Sequence, residues 1–166
     1  PAPAETRTPL LLDATVLNNF LKVGRLPLLR QLFPTSLRLA AQVYDEIKAG
    51  GLEDSIRQAV NEGWLLLVTP ESGREATLYS EYSRTLGSGE AASLAVAICR
   101  GWAIATDDRA ARRAARTGGV ALTGSVGILI VAVRARTMTR EEAEGLLLQM
   151  RRHGYHFPLE TLEGLL

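Results

Sequence analysis

A chain of 166 residues with 46% hydrophobic and 22% charged side chains has the size and composition of one globular domain, which excludes a disordered chain or a multi-domain assembly. Nineteen Lys and Arg against eighteen Asp and Glu leave a net charge of +1, so affinity for nucleic acid or anionic lipid has to come from a local patch. A single cysteine, Cys99, excludes an internal disulfide and a cysteine-rich metal site, and predicts a reducing, cytoplasmic setting.

Pro1 to Thr8 lacks the basic-then-apolar order of a signal peptide and reads as a lead-in. Leu10-Leu11-Leu12 is a short apolar run ending at Asp13, and Val16, Leu17, Phe20 and Leu21 then recur at helical spacing. A second short helix fits Leu26 to Leu32, opened by Pro27 and stopped by Pro34. Ser36 to Leu39 reads as extended, Gln42 to Lys48 as helix, and Leu52 to Glu62 as a further helix after Gly50-Gly51. Trp64 to Val68 is continuously apolar, the pattern of a strand covered on both faces.

A polar helix is expected from Glu71 to Tyr82, then an apolar one from Glu90 to Arg100 with Ser88 as its cap. Trp102 to Thr106 is the next strand, with Asp107-Asp108 at its carboxyl end. Arg109 to Arg116 forms a helix closed by Gly118-Gly119, and Val120-Ala121-Leu122 forms one more short strand. Ser125 to Arg136 and Thr139 to His153 read as the last two helices, the second with a start resembling a capping box. No apolar run approaches the roughly 20 residues of a membrane span. Alternation of short strands with helices predicts an α/β fold, a three-layer α/β/α sandwich with a mostly parallel sheet. It occupies 9–158 as a single domain, with 159–166 as a carboxy-terminal tail that packs on the core or docks on another chain.

Ligands of such folds bind beyond the carboxyl ends of the strands. Of only five aspartates, Asp13, Asp107 and Asp108 end or follow predicted strands, while Glu90 opens a helix after a glycine turn and Glu46 lies on the helix after the second extended piece. Each has a structural alternative as a turn former, helix cap or solvated charge. Crowded together, such carboxylates repel unless a cation neutralises them, and an oxygen-only set without His or Cys suits Mg²⁺ or Mn²⁺ rather than zinc. Arg109, Arg112, Arg113 and Arg116 share one helix face beside these acids and are the candidate phosphate contacts. Aromatic residues make up 5% of the chain, which does not indicate an extensive base-stacking platform. His153 and His156 read as surface residues, and Cys99 as a packed thiol.

The segments Leu11-Leu12-Asp13-Ala14-Thr15-Val16-Leu17, Val43-Tyr44-Asp45-Glu46-Ile47, Gly87-Ser88-Gly89-Glu90-Ala91-Ala92, Ala105-Thr106-Asp107-Asp108-Arg109 and Thr123-Gly124-Ser125-Val126-Gly127, in this order, resemble the PIN-domain family. Within it, the chain resembles the compact prokaryotic group related to VapC-type toxin ribonucleases. The resemblance implies a Mg²⁺- or Mn²⁺-dependent endoribonuclease that leaves 5′-phosphate and 3′-hydroxyl ends. It further implies a homodimer and, as the toxin of a toxin–antitoxin pair, a cognate antitoxin protein. Asp13, Glu46, Glu90 and Asp107 or Asp108 occupy the family's acidic positions, Asp45 competing with the preferred Glu46. Thr106 and Ser88 are candidates to hold a carboxylate or water behind them.

Competing enzyme classes lack their parts. There is no phosphate-binding loop G-x-x-x-x-G-K-[ST], no G-x-G-x-x-G fingerprint, and Gly124-Ser125-Val126-Gly127 has the wrong spacing for a nucleophile elbow. A phosphotransfer receiver domain is disfavoured by the absence of paired early acids and of a suitably placed late Lys. The alternative from another class is a non-catalytic interaction module whose acidic pocket binds a basic partner segment.

Overall fold

The computed structural model describes residues 8–49, 53–157, 162, 164 and 165. Its elements run β1 (Leu10–Leu12), α1 (Ala14–Lys22), α2 (Leu26–Leu32), β2 (Leu37–Ala40), α3 (Ala41–Ala49), α4 (Glu53–Asn61), β3 (Leu66–Val68), α5 (Gly73–Tyr82), α6 (Ser88–Arg100), β4 (Ala103–Ala105), α7 (Arg109–Thr117), β5 (Leu122–Thr123), α8 (Ser125–Arg134) and α9 (Arg140–Arg152). Among the described residues the strands form one all-parallel sheet in the order β3-β2-β1-β4-β5. The expected three-layer α/β/α sandwich is the architecture found.

Strands this short carry little sheet energy by themselves, and side chains of β1 supply the anchoring on both faces. Leu10 and Leu12 enter the larger core with Leu17, Phe20, Ile128, Leu129 and Met150. Leu11, one residue out of phase, enters the smaller core with Leu94, Val96, Ile104 and Ala115. Leu162 from the tail is fully buried in the larger core, so this part of the tail packs back on its own chain.

Local hydrogen bonding sets the helix ends. Ser72 and Glu75 close a capping box on α5, and Thr139 and Glu142 close another on α9. Gly101, at φ 66°, ends α6 in the left-handed conformation that costs a glycine least.

Three expectations need correction. The segment expected as a strand covered on both faces is reduced to β3 at the sheet's edge, where Leu66 and Leu67 are 44% and 40% exposed. Leu65 is still tied to α4 through its N–H to the Ala59 carbonyl. The last strand is Leu122–Thr123 rather than 120–122, because Val120 gives its N–H back to Ala115 at the end of α7. Finally, α6 begins at Ser88 with Gly87 as its cap, so Ser88 is not the cap. Among the described residues no helix is long and apolar enough to cross a membrane.

Candidate active site

In this strand order the chain moves outward from β1 to β2 and β3, then returns to the other side of β1 for β4 and β5. The turns after β1 and β4 therefore lie at the switch point on the carboxyl edge, where ligands of such folds bind. Asp13 follows β1 and Asp107-Asp108 follow β4, while α6 and α3 bring up Glu90 and Glu46.

The hydrogen bonds of the five acids separate them into two kinds. Asp13, 1% exposed, receives all its bonds on Oδ2, from Thr106 Oγ1 at 2.9 Å, Thr15 Oγ1 at 2.7 Å and the Thr15 N–H at 3.4 Å. Asp108 caps α7, its Oδ1 accepting the Ala111 N–H at 2.8 Å. Glu46 Oε1 accepts the Gly89 N–H at 2.8 Å, and Glu90 Oε2 accepts the Gly87 N–H at 3.1 Å. Each of these four spends one oxygen on the fold and has no described hydrogen bond on the other. Asp107 spends both. Its Oδ1 accepts from the Ser125 N–H at 3.0 Å and the Tyr155 hydroxyl at 3.2 Å, and its Oδ2 from Ser125 Oγ at 2.5 Å and Asn19 Nδ2 at 3.0 Å.

Glu90 registers the crowding. Burial pushes its carboxyl up to about 7, and the charges of Asp13, Asp108 and Glu46 add to the rise against the opposing Gly87 N–H. Asp45 stays on the exposed side of α3, paired with Lys48 at 3.4 Å. Of the alternatives left open by the sequence, Glu46 and Asp108 act on the Glu90 carboxyl, Asp45 pairs with Lys48, and Asp107 has both oxygens bonded.

The donor set has the chemistry of a hard-cation site: four carboxylates, one nearly buried, each with an uncommitted oxygen. It is gathered within electrostatic reach of Glu90 rather than at shared coordination distance. Among the described residues no three Asp, Glu, His or Cys side chains stand close enough to hold one ion.

Thr106, fully buried, donates to Asp13 while its Oγ1 accepts the Asp108 N–H at 3.2 Å. The Ser88 hydroxyl meets the Tyr79 hydroxyl at 3.0 Å. Of the arginine face, Arg109, Arg113 and Arg116 are exposed, with no carboxylate partner described. Arg112 departs from it, turning Nη1 onto the carbonyls of Thr106 at 2.8 Å and Thr123 at 3.0 Å, where it ties the ends of β4 and β5 together.

Thr15, Asn19, Ser125 and Tyr155 were not singled out from the sequence. The Asp107 N–H donates to Thr15 Oγ1 at 3.0 Å, which links the turn after β4 to the one after β1. A usable signal existed for Thr15, two residues after a strand-end Asp. None existed for Tyr155, which reaches Asp107 across 48 residues of chain.

In comparison with known proteins, a family model described as PIN domain matches residues 9–166. A search of curated proteins returned no match.

Proposed function

The chain belongs to the PIN-domain family, whose members are generally nucleases, and from that premise we propose a metal-dependent endoribonuclease working at the carboxyl edge of the sheet beside β1 and β4. The observation that carries this reading is the division of the acids: Asp13, Glu46, Glu90 and Asp108 each keep an oxygen without a described hydrogen bond, and Asp13, Asp108 and Glu46 act on the charge of Glu90, whereas Asp107 has both oxygens bonded. Asp13, Glu90 and Asp108 would hold Mg²⁺ or Mn²⁺, with Glu46 beside them. Such an ion supplies an acidified water and neutralises charge developing on the phosphorus and its leaving oxygen.

The chain's own residues do the rest. Thr106 and Thr15 hold Asp13 in one orientation, so its second oxygen is presented without a search through rotamers. Asp107 acts as a positioning residue, fixing the amino end of α8 and the turn from which Asp108 projects. Arg109, Arg113 and Arg116 supply the positive charge that draws a phosphate backbone towards an otherwise repulsive acidic edge.

The test is cleavage of labelled single-stranded RNA with Mn²⁺, Mg²⁺ or EDTA, beside Asp13→Asn and Glu90→Gln. Cutting that needs the cation and is abolished by either substitution is the expected result. No cutting over several RNAs, with no Mn²⁺ uptake in calorimetry, would leave an interaction module with an acidic pocket.

Resemblance to VapC-type toxins extends the proposal to a homodimer and to a partner antitoxin whose arginines would fill the same pocket. A single-chain mass in light scattering would remove the first. Co-expression with the neighbouring open reading frame, scored by growth rescue, checks the second.

A further inference from the structure

Immediately after α9 the chain turns at Gly154, φ 94°, and runs Tyr155-His156-Phe157 along the carboxyl edge of the sheet. This stretch is pinned at three points. The Tyr155 N–H returns to the Met150 carbonyl at 3.0 Å, the Tyr155 hydroxyl donates to Asp107, and Arg151 Nη2 donates to the Phe157 carbonyl at 2.7 Å. Two residues apart on extended chain, Tyr155 and Phe157 point the same way, and their rings stack with centroids 6.3 Å apart at 19°.

Next to them lies a cavity of about 450 Å³, walled by Val126 and Ile130 of α8 and rimmed by Arg109 and His156, with Asp107 in its lining. The walls are apolar and carry aromatic faces, the rim carries a guanidinium with no described acid partner, and the acids of the candidate site begin one residue away at Asp108. A flat apolar body bearing a negative group fits those surfaces, which is the chemistry of an unpaired nucleobase with its phosphate. A volume of this size has room for one nucleotide.

We propose that Tyr155, Phe157 and Arg109 form a subsite for one unpaired nucleotide of the strand being cut, next to the scissile phosphate. This rests on the nuclease reading and adds to it a stacking contact that holds one nucleotide beside the cut. The Tyr155–Asp107 bond gives the subsite its register, because the carboxylate that orients the base of α8 also holds the stacking ring. An overall aromatic content of 5% does not bear on it, since two rings placed three residues from end to end suffice.

The experiment is fluorescence anisotropy of a labelled single-stranded RNA octamer in EDTA, where nothing is cut, with Phe157→Leu and Arg109→Gln variants. Leucine keeps the packing of Phe157 and removes its π face; Arg109 is exposed, so its replacement leaves the fold intact. Phe157→Leu is expected to weaken binding about tenfold. Arg109→Gln should reduce the slope of log K against log salt by about one phosphate contact. A duplex of the same sequence should compete poorly. Unchanged affinity for both variants with unchanged melting, or equal competition by the duplex, overturns the subsite. With Mn²⁺ added, the two readings separate. Cutting by the parent protein with KM unaltered in Phe157→Leu overturns the subsite and keeps the nuclease. Binding that depends on Phe157 without cutting keeps the nucleotide contact but overturns the nuclease reading, and with it the place of the subsite beside a scissile phosphate.

Discussion

Asp107 and Asp108 are neighbours in the chain and opposite in use. Four donors converge on Asp107, so Asp107→Asn turns an amide NH₂ towards Asn19 and Ser125, which are already donating there. One partner lost at a half-buried site costs roughly 1–3 kcal/mol. The expected result is a clear fall in melting temperature in EDTA. Asp108→Asn leaves an equally good helix cap for Ala111, so its melting temperature in EDTA should stay close to the parent's while Mn²⁺ binding by calorimetry is lost. The reverse pattern would exchange the two roles.

Glu90 carries its own pH signature. A carboxyl raised from 4.5 to about 7 binds a proton more tightly folded than unfolded. Its ionisation therefore erodes stability as pH climbs from about 4.5 through 7, and the erosion is complete above that. In cation-free buffer, Glu90→Gln, which still offers an oxygen to the Gly87 N–H, should flatten this part of the stability profile and raise denaturant midpoints at pH 8.

At the scale of elements, the join between α5 and α6 depends on a buried ion pair. Glu75, 3% exposed, takes Arg100 Nε at 2.7 Å and Nη2 at 3.1 Å while accepting the N–H groups of Glu71 and Ser72. The Arg100 guanidinium, seconded by those N–H groups, holds the Glu75 carboxyl down at about 2 despite burial, and Arg100 also lies 5.1 Å from the Trp102 ring. A depressed carboxylate stabilises fully above its unfolded value near 4.5, and that stabilisation is lost as pH falls from there towards 2. Urea midpoints at pH 3 and pH 6 should differ less in Glu75→Gln than in the parent. Arg100→Met, which strands the buried carboxylate, should cost roughly 3–5 kcal/mol.

Packing of α3 against α6 depends in turn on Gly89, where a Cβ would fall 2.7 Å from Val43 Cγ2 and 2.9 Å from Glu46 Oε2. Gly89→Ala should destabilise by about 1–3 kcal/mol and displace Glu46 from the cluster, read as weakened Mn²⁺ binding beyond what instability explains.

For the molecule as a whole, β3 is one of the two edge strands of the sheet among the described residues. β3 presents Leu66 and Leu67, both exposed, on a strand with a partner on one side only. Such edges promote association between chains. Leu66→Lys is expected to change stability by no more than about 0.5 kcal/mol while lowering turbidity on heating.

Much of this architecture was legible in the amino-acid order. Apolar runs three to five residues long, alternating with helical periodicity, dictated a parallel α/β sheet because both signals are local. Thr139–Glu142 dictated a helix start for the same reason, and the acids at strand ends had to share the carboxyl edge once the sheet was parallel. Which of those acids keep an oxygen in reserve was decided by the tertiary structure alone. Asp107 is saturated by Ser125, Asn19 and Tyr155, which lie 18, 88 and 48 residues away, and Glu46 is placed by a glycine N–H 43 residues away. The exposure of β3 belongs to the same class, since an apolar run reads alike whether a neighbouring strand or solvent lies beside it. Hydrogen-bond saturation and burial are sums over partners brought together by packing, so they have no counterpart in spacing along the chain.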